Sequence, residues 1–206
     1  MSLFAFPASP DAPFVADASV VIGLNASGHA RKIIQLTKSR IIVPENAANE
    51  LAIGARFGHD DGYQLNSLIA DGIVDVEALK GAALAIYETL IDGTLGETLD
   101  DGEAATIALA VSQGGVALID ERKARRICEK HFNGITIGST AQLILAASCL
   151  GESVQIEAML HALRRGRLRV PPEFVESVVS LIGAQEAATC QSLPRVARLL
   201  GSNSKP

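Results

Sequence analysis

Five short apolar runs, separated by stretches of helix length, constrain this chain more than any other feature. They lie at about 14–18, 41–43, 73–76, 116–119 and 135–137. Ile41-Ile42-Val43 is β-branched throughout, as a buried strand favours. Helical patterning fills the gaps, through 20–24 and 30–36, from Pro44 onward, and over 63–71, 79–91, 102–113, 121–131 and 139–149. Pro44 suits a helix start, where its missing N–H would be unpaired anyway. Strands alternating with helices of this length form right-handed βαβ units around a parallel sheet. Alternation stops near 150. From 153 the pattern is helical only, with Pro171-Pro172 starting a helix over 173–183 and a weaker one over 193–200.

The expected organisation follows from that pattern. A proline-rich lead-in over 1–12 precedes an α/β domain over 13–150. A helical extension over 151–200 packs on that domain, and 201–206 forms a disordered tail. At 206 residues with 48% hydrophobic side chains the chain can bury a substantial core. Aromatics make up only 4%, so that core is built from Ala, Leu, Ile and Val. A net charge of −5 argues against a general basic coat for nucleic acid and leaves room for a local basic groove. The odd, scattered cysteines Cys128, Cys149 and Cys190 fit a reducing cytoplasm. No window approaches the ~18 consecutive apolar residues of a membrane span, and the expectation is a soluble protein without an export signal.

Four carboxylates stand where one segment hands over to the next. Asp17 ends the run Phe14-Val15-Ala16, Glu50 lies six residues beyond Pro44, Glu103 opens the helix at 102, and Asp120 ends Val116–Ile119. Two of them close strands, where open α/β sheets carry their sites. Carboxylates without neighbouring cations point to a hard, oxygen-liganded ion such as Mg²⁺ or Mn²⁺. Glu121 competes with Asp120 as ligand, and Asp100 and Asp101 with Glu103. Each carboxylate also has an ordinary reading. Asp17 can cap a helix, Glu50 can be an exposed helix charge, Glu103 can favour a helix N-terminus, and Asp120 can cap helix 121–131. Arginine and lysine crowd two places, Arg122, Lys123, Arg125, Arg126 and Lys130, then Arg164, Arg165, Arg167 and Arg169. Either group can hold a nucleic-acid backbone or form a solvated face. Phosphate loops, dinucleotide fingerprints and serine elbows are absent from the sequence.

The chain resembles PIN domains, and among them the VapC-type toxins. The resemblance rests on Val15-Ala16-Asp17-Ala18-Ser19, Val43-Pro44 with Glu50-Leu51, and Leu99-Asp100-Asp101-Gly102-Glu103-Ala104. Leu118-Ile119-Asp120-Glu121, Ile137-Gly138-Ser139-Thr140 and Leu163-Arg164-Arg165-Gly166-Arg167-Leu168 complete it. It implies a three-layer α/β/α fold and an Mg²⁺- or Mn²⁺-dependent endoribonuclease with Asp17, Glu50, Glu103 and Asp120 as catalytic cluster. Asp17, Glu103 and Asp120 or Glu121 would hold the metal, and Ser19, Arg122, Arg126, Arg164 and Arg165 would bind RNA. It also implies a homodimeric toxin with a protein antitoxin; the apolar faces near 28–37 and 63–71 are candidate interfaces. Two other readings compete. One is a PIN module that binds RNA or protein without cutting. The other is a phosphatase with Asp17 as nucleophile, disfavoured because Ser19 stands where a second Asp is usual.

Overall fold

In the computed structural model, residues 11–200 are described. Residues 1–10 of the lead-in and the tail 201–206 lie outside them. Five parallel strands form one sheet in the order β3-β2-β1-β4-β5. They are β1 (Phe14–Ala16), β2 (Ile41–Pro44), β3 (Val74–Glu77), β4 (Val116–Leu118) and β5 (Thr136–Gly138). Helices α1 (Ala18–Ala26) and α2 (Ala30–Thr37) connect β1 to β2. Helices α3 (Glu45–Ala55) and α4 (Asp61–Ala70) connect β2 to β3. Helices α5 (Ala82–Ile91) and α6 (Asp101–Gln113) lead to β4, and α7 (Arg122–His131) leads to β5. Then follow α8 (Thr140–Ala146), α9 (Glu152–Arg164), α10 (Val175–Ile182), α11 (Ala184–Thr189) and α12 (Arg195–Leu200).

Side chains on a strand alternate between faces, and this sheet is apolar on both. Phe14, Ala16, Ile41, Val43, Val116 and Leu118 enter one core with α1–α4 and α8–α12. Val15, Ile42, Ala117 and Ile119 enter the other with α5, α6 and α7. The result is the expected three-layer α/β/α architecture. Met159, Ala162, Val178, Ala187 and Ala197, from the helices after residue 150, share one cluster with the sheet.

Two C-terminal boundaries differ from the sequence pattern. The helix expected over 139–149 stops at Ala146, because buried Gln155 donates from Nε2 to the carbonyls of Ile144 (2.8 Å) and Leu145 (2.9 Å). A 3₁₀ turn, Ser148–Leu150, follows it. The helix expected from 173 opens as a 3₁₀ turn, Pro172–Phe174, and Gly183, at φ 82, separates α10 from the short α11.

Arg125, grouped by sequence with the basic helix face, is buried and structural. Its Nη1 donates to the carbonyls of Ile119 (3.2 Å) and Gly138 (2.9 Å) beyond β4 and at the end of β5. Its Nη2 meets Glu173 Oε1 at 2.6 Å, fastening both strand ends to the 3₁₀ turn after α9. Arg125→Met removes a donor from both buried carbonyls, of which Gly138 O keeps the Ile119 N–H at 3.1 Å. We expect a loss of about 2–3 kcal/mol in urea unfolding, and an unchanged midpoint would show that this staple does not hold the two regions together.

Candidate active site

Because all five strands run parallel, their C-terminal ends share one edge. The strand order reverses between β1 and β4, the position where such sheets open a binding crevice. Asp17 follows β1 and Asp120 follows β4, so the topology sets the two carboxylates side by side. The Asp17 N–H donates to Leu118 O across that junction, at 3.3 Å.

Asp17 does cap a helix. It occupies the N-cap of α1 with extended backbone, and Oδ2 accepts from Ser19 N–H (3.4 Å) and Ser19 Oγ (2.8 Å). Capping occupies Oδ2, while Oδ1 faces Gly102. A Cβ placed on Gly102 would stand 3.1 Å from Asp17 Oδ1 and 3.1 Å from Glu50 Oε2. The missing side chain at 102 leaves a cradle between carboxylates from α1 and α3, with the first turn of α6 as its floor. Glu103 stands half-buried beside it in that turn. Asp120 does not cap α7, whose N-cap position is Glu121. Instead its Oδ1 accepts from Thr140 N–H (2.9 Å) and its Oδ2 from Thr140 Oγ1 (2.6 Å), at the start of α8.

The four carboxylates, with Ser19, Asp100 and Glu121, line one cleft of about 330 Å³. Ile22 and residues 166–169 form its remaining wall. Asp101, the other neighbour of Glu103, turns away to Asn46 and Tyr87. The carboxylates act on one another electrostatically. Burial pushes Glu103 up to about 7, and the charges of Asp17 and Asp100 add to it while Lys123 opposes. Burial likewise pushes Asp120 up to about 6, against the Thr140 hydrogen bonds and with Asp17 adding to the rise. Glu50 is raised by burial, then by Asp17, Asp100 and Asp101. Asp17 is itself raised by burial, despite its bonds to Ser19. Asp17 is thus the charge that all three others feel.

Two like charges ~4 Å apart at an effective dielectric of ~20 repel by roughly 4 kcal/mol. A divalent cation reverses that sign, and an all-oxygen donor set fits a hard one. Among the described residues no three His, Cys, Asp or Glu side chains stand close enough to hold an ion unaided. Asp17 Oδ1 and Glu50 Oε2 both border the Gly102 cradle. A hard divalent ion bound through few carboxylates keeps several waters.

The basic residues separate into three places. Arg122 and Arg126 line a groove of about 500 Å³ that shares Asp120 and Arg169 with the cleft, and Arg126 is paired with Glu97. Arg164 is paired with Glu186 and bonded to Thr189 (2.9 Å), and neither it nor Arg165 lines the cleft. The arginines that do are Arg167 and Arg169. Their signal was Gly166 within the arginine run, where the chain leaves α9 and side-chain directions change.

The family DUF3368, described as a PIN domain, matches residues 13–184. No curated protein matches the chain. The matched span contains the whole sheet and all four carboxylates.

Glu103 gives the cluster a pH signature in metal-free protein. Its folded pKa lies above the ordinary 4.5, so the folded state holds the proton longer. The stability this contributes is complete below about pH 4 and is lost as pH rises through about 7. Glu103→Gln removes the titration. We expect equal stability of variant and wild type at pH 4, and a variant more stable by about 1–2 kcal/mol at pH 8, after screening by water that still reaches the side chain. A constant difference across that range would contradict the cause given for the shift.

Proposed function

The chain belongs to the PIN-domain family, whose fold is of nuclease type, and from that premise we propose that it is a metal-dependent endoribonuclease. The observation that supports this best is the Gly102 cradle at the sheet's reversal point, with Asp17 coupled to Glu50, Glu103 and Asp120. In this reading Asp17, Glu103 and Asp120 hold Mg²⁺ or Mn²⁺, while Glu121 at the rim is paired with Arg169. When bound, such an ion would offset the charge of the cluster and of the scissile phosphate and lower the pKa of the attacking water.

The chain's own groups do the rest. Thr140 and Ser19 fix Asp120 and Asp17 by hydrogen bonds, so the carboxylates need not reorganise during reaction. Glu50 reaches the cradle from α3, opposite Asp17, where it can accept a hydrogen bond from the attacking water and orient it. The water oxygen bonds to phosphorus as it gives up a proton to solvent, and the bond from phosphorus to the 3′ oxygen breaks, that oxygen taking a proton from solvent. The products are a 5′-phosphate and a 3′-hydroxyl.

The proposed setting is the cytoplasm, where this enzyme is the toxin of a toxin–antitoxin pair and works as a homodimer. The cysteines are all unpaired, as a reducing compartment requires. Phe57 and Tyr63, 79% and 70% exposed near the α3–α4 turn, offer an apolar surface to a second copy or an antitoxin. No helix among the described residues is long and apolar enough to cross a membrane. One observation favours a second reading, a module that binds without cutting: among the described residues no three ligating side chains are gathered closely enough to hold an ion unaided.

Cleavage of mixed-sequence single-stranded RNA separates the two. We expect cutting with Mn²⁺ or Mg²⁺, none with a chelator, and a loss of at least ~100-fold in Asp17→Asn. Asn is as good a helix cap as Asp, so the variant keeps the fold. Undiminished cutting by it would remove Asp17 from the site, and metal-independent RNA binding without cutting would favour the module.

A further inference from the structure

The carboxylates account for one side of the cleft; the wall opposite comes from Gly166–Arg169, just beyond α9. That segment is pinned on both sides of Arg167. Gly166 has no room for a side chain, since a Cβ there would stand 2.9 Å from Ala162 O and 2.9 Å from Ala26 Cβ. Leu168 is buried, and its N–H donates to Ala162 O at 3.0 Å. Arg169 is ion-paired with Glu121. Between these anchors Arg167 adopts left-handed backbone, φ 50, at a cost of about 1–2 kcal/mol for a residue with a Cβ.

Arg167 is exposed and lines the cleft with Asp17, Glu50, Asp100, Glu103 and Asp120. It forms no hydrogen bond or ion pair among the described residues, although carboxylates surround the cleft. Arg125, Arg126, Arg164 and Arg169 each hold a carboxylate instead. Its five N–H donors are therefore uncommitted, in a planar fork that matches a phosphate. The cleft also needs such a group. A divalent ion offsets only part of the carboxylate charge, and the Arg169–Glu121 pair is neutral, so a phosphodiester entering it meets a residual negative field.

We propose that Arg167 is a phosphate-binding residue, holding a phosphodiester of the RNA against the carboxylate cluster. This rests on the nuclease reading, and its test does not depend on cutting. Binding of a fluorescent single-stranded RNA is followed by anisotropy over a salt series in Mn²⁺, with Asp17→Asn as background so that cleavage does not interfere. Adding Arg167→Ala should weaken binding about 10- to 100-fold and make the slope of log affinity against log salt shallower by about 0.7, one phosphate contact on a single strand. Arg167→Lys should keep the slope while binding less tightly. Arg167→Gly relieves the left-handed backbone, so it should melt higher than its background and still lose the contact. An unchanged slope in Arg167→Ala overturns the proposal, as does the absence of RNA binding with Arg167 intact. A change only in Mn²⁺ affinity or stability would make Arg167 a counter-charge for the carboxylates and overturn it too. Failure of the nuclease reading is seen separately, as absence of cutting by wild type.

Discussion

Like charges held together against their own repulsion are the constraint on which this molecule's architecture turns. Asp17 and Asp120 are neighbours because β1 and β4 are paired at the point where the strand order reverses. Among the described residues no basic side chain pairs with either carboxylate. Ser19 and Thr140 satisfy them with hydrogen bonds, which orient the groups without neutralising them. Arg125, the nearest structural guanidinium, spends its donors on two strand-end carbonyls and Glu173. The cost of that cluster is borne by the cores on both faces of the sheet, whose strands are apolar on each side. Such local cost against a consistent fold is the mark of a functional site.

The helices beyond residue 150 belong to this argument as much as the sheet does. Close approach of backbone to backbone brings them there. A Cβ on Gly23 would meet Thr140 Cγ2 at 3.0 Å, and Gly166 sits against Gly23 and Ala26. Helix α1 therefore touches both the turn that holds Asp120 and the segment that forms the opposite wall. Residues 166–169 complete the cleft because α9 packs on α1.

Much of this was legible in the chain. The strands could be read because β-branched runs end at Asp, Pro or Gly, and the carboxylates because each closes a run or opens a helix. The capping reading of Asp17 is met through Oδ2, and it leaves Oδ1 facing the cradle. Other features had no local signal. The Thr140 contact to Asp120 spans 20 residues, and the cradle exists because Gly102 lacks a side chain between groups on two other helices. Arg125 looked like its exposed neighbours because charge alone does not reveal burial. That Arg167 and Arg169, and not Arg164 and Arg165, line the cleft has no signal in the arginines themselves, because a run of arginines carries no record of where a helix ends and the chain turns.

The central claim is that Asp17, Glu50, Glu103 and Asp120 form one cation-binding cluster, and diffraction from crystals grown with Mn²⁺ tests it most directly. Anomalous scattering at the manganese edge should show a peak in the cleft beside the Asp17 side chain, near Gly102 and within reach of Glu103 and Asp120. An intact cleft with no manganese at saturating concentration, or manganese bound only elsewhere, would contradict the account.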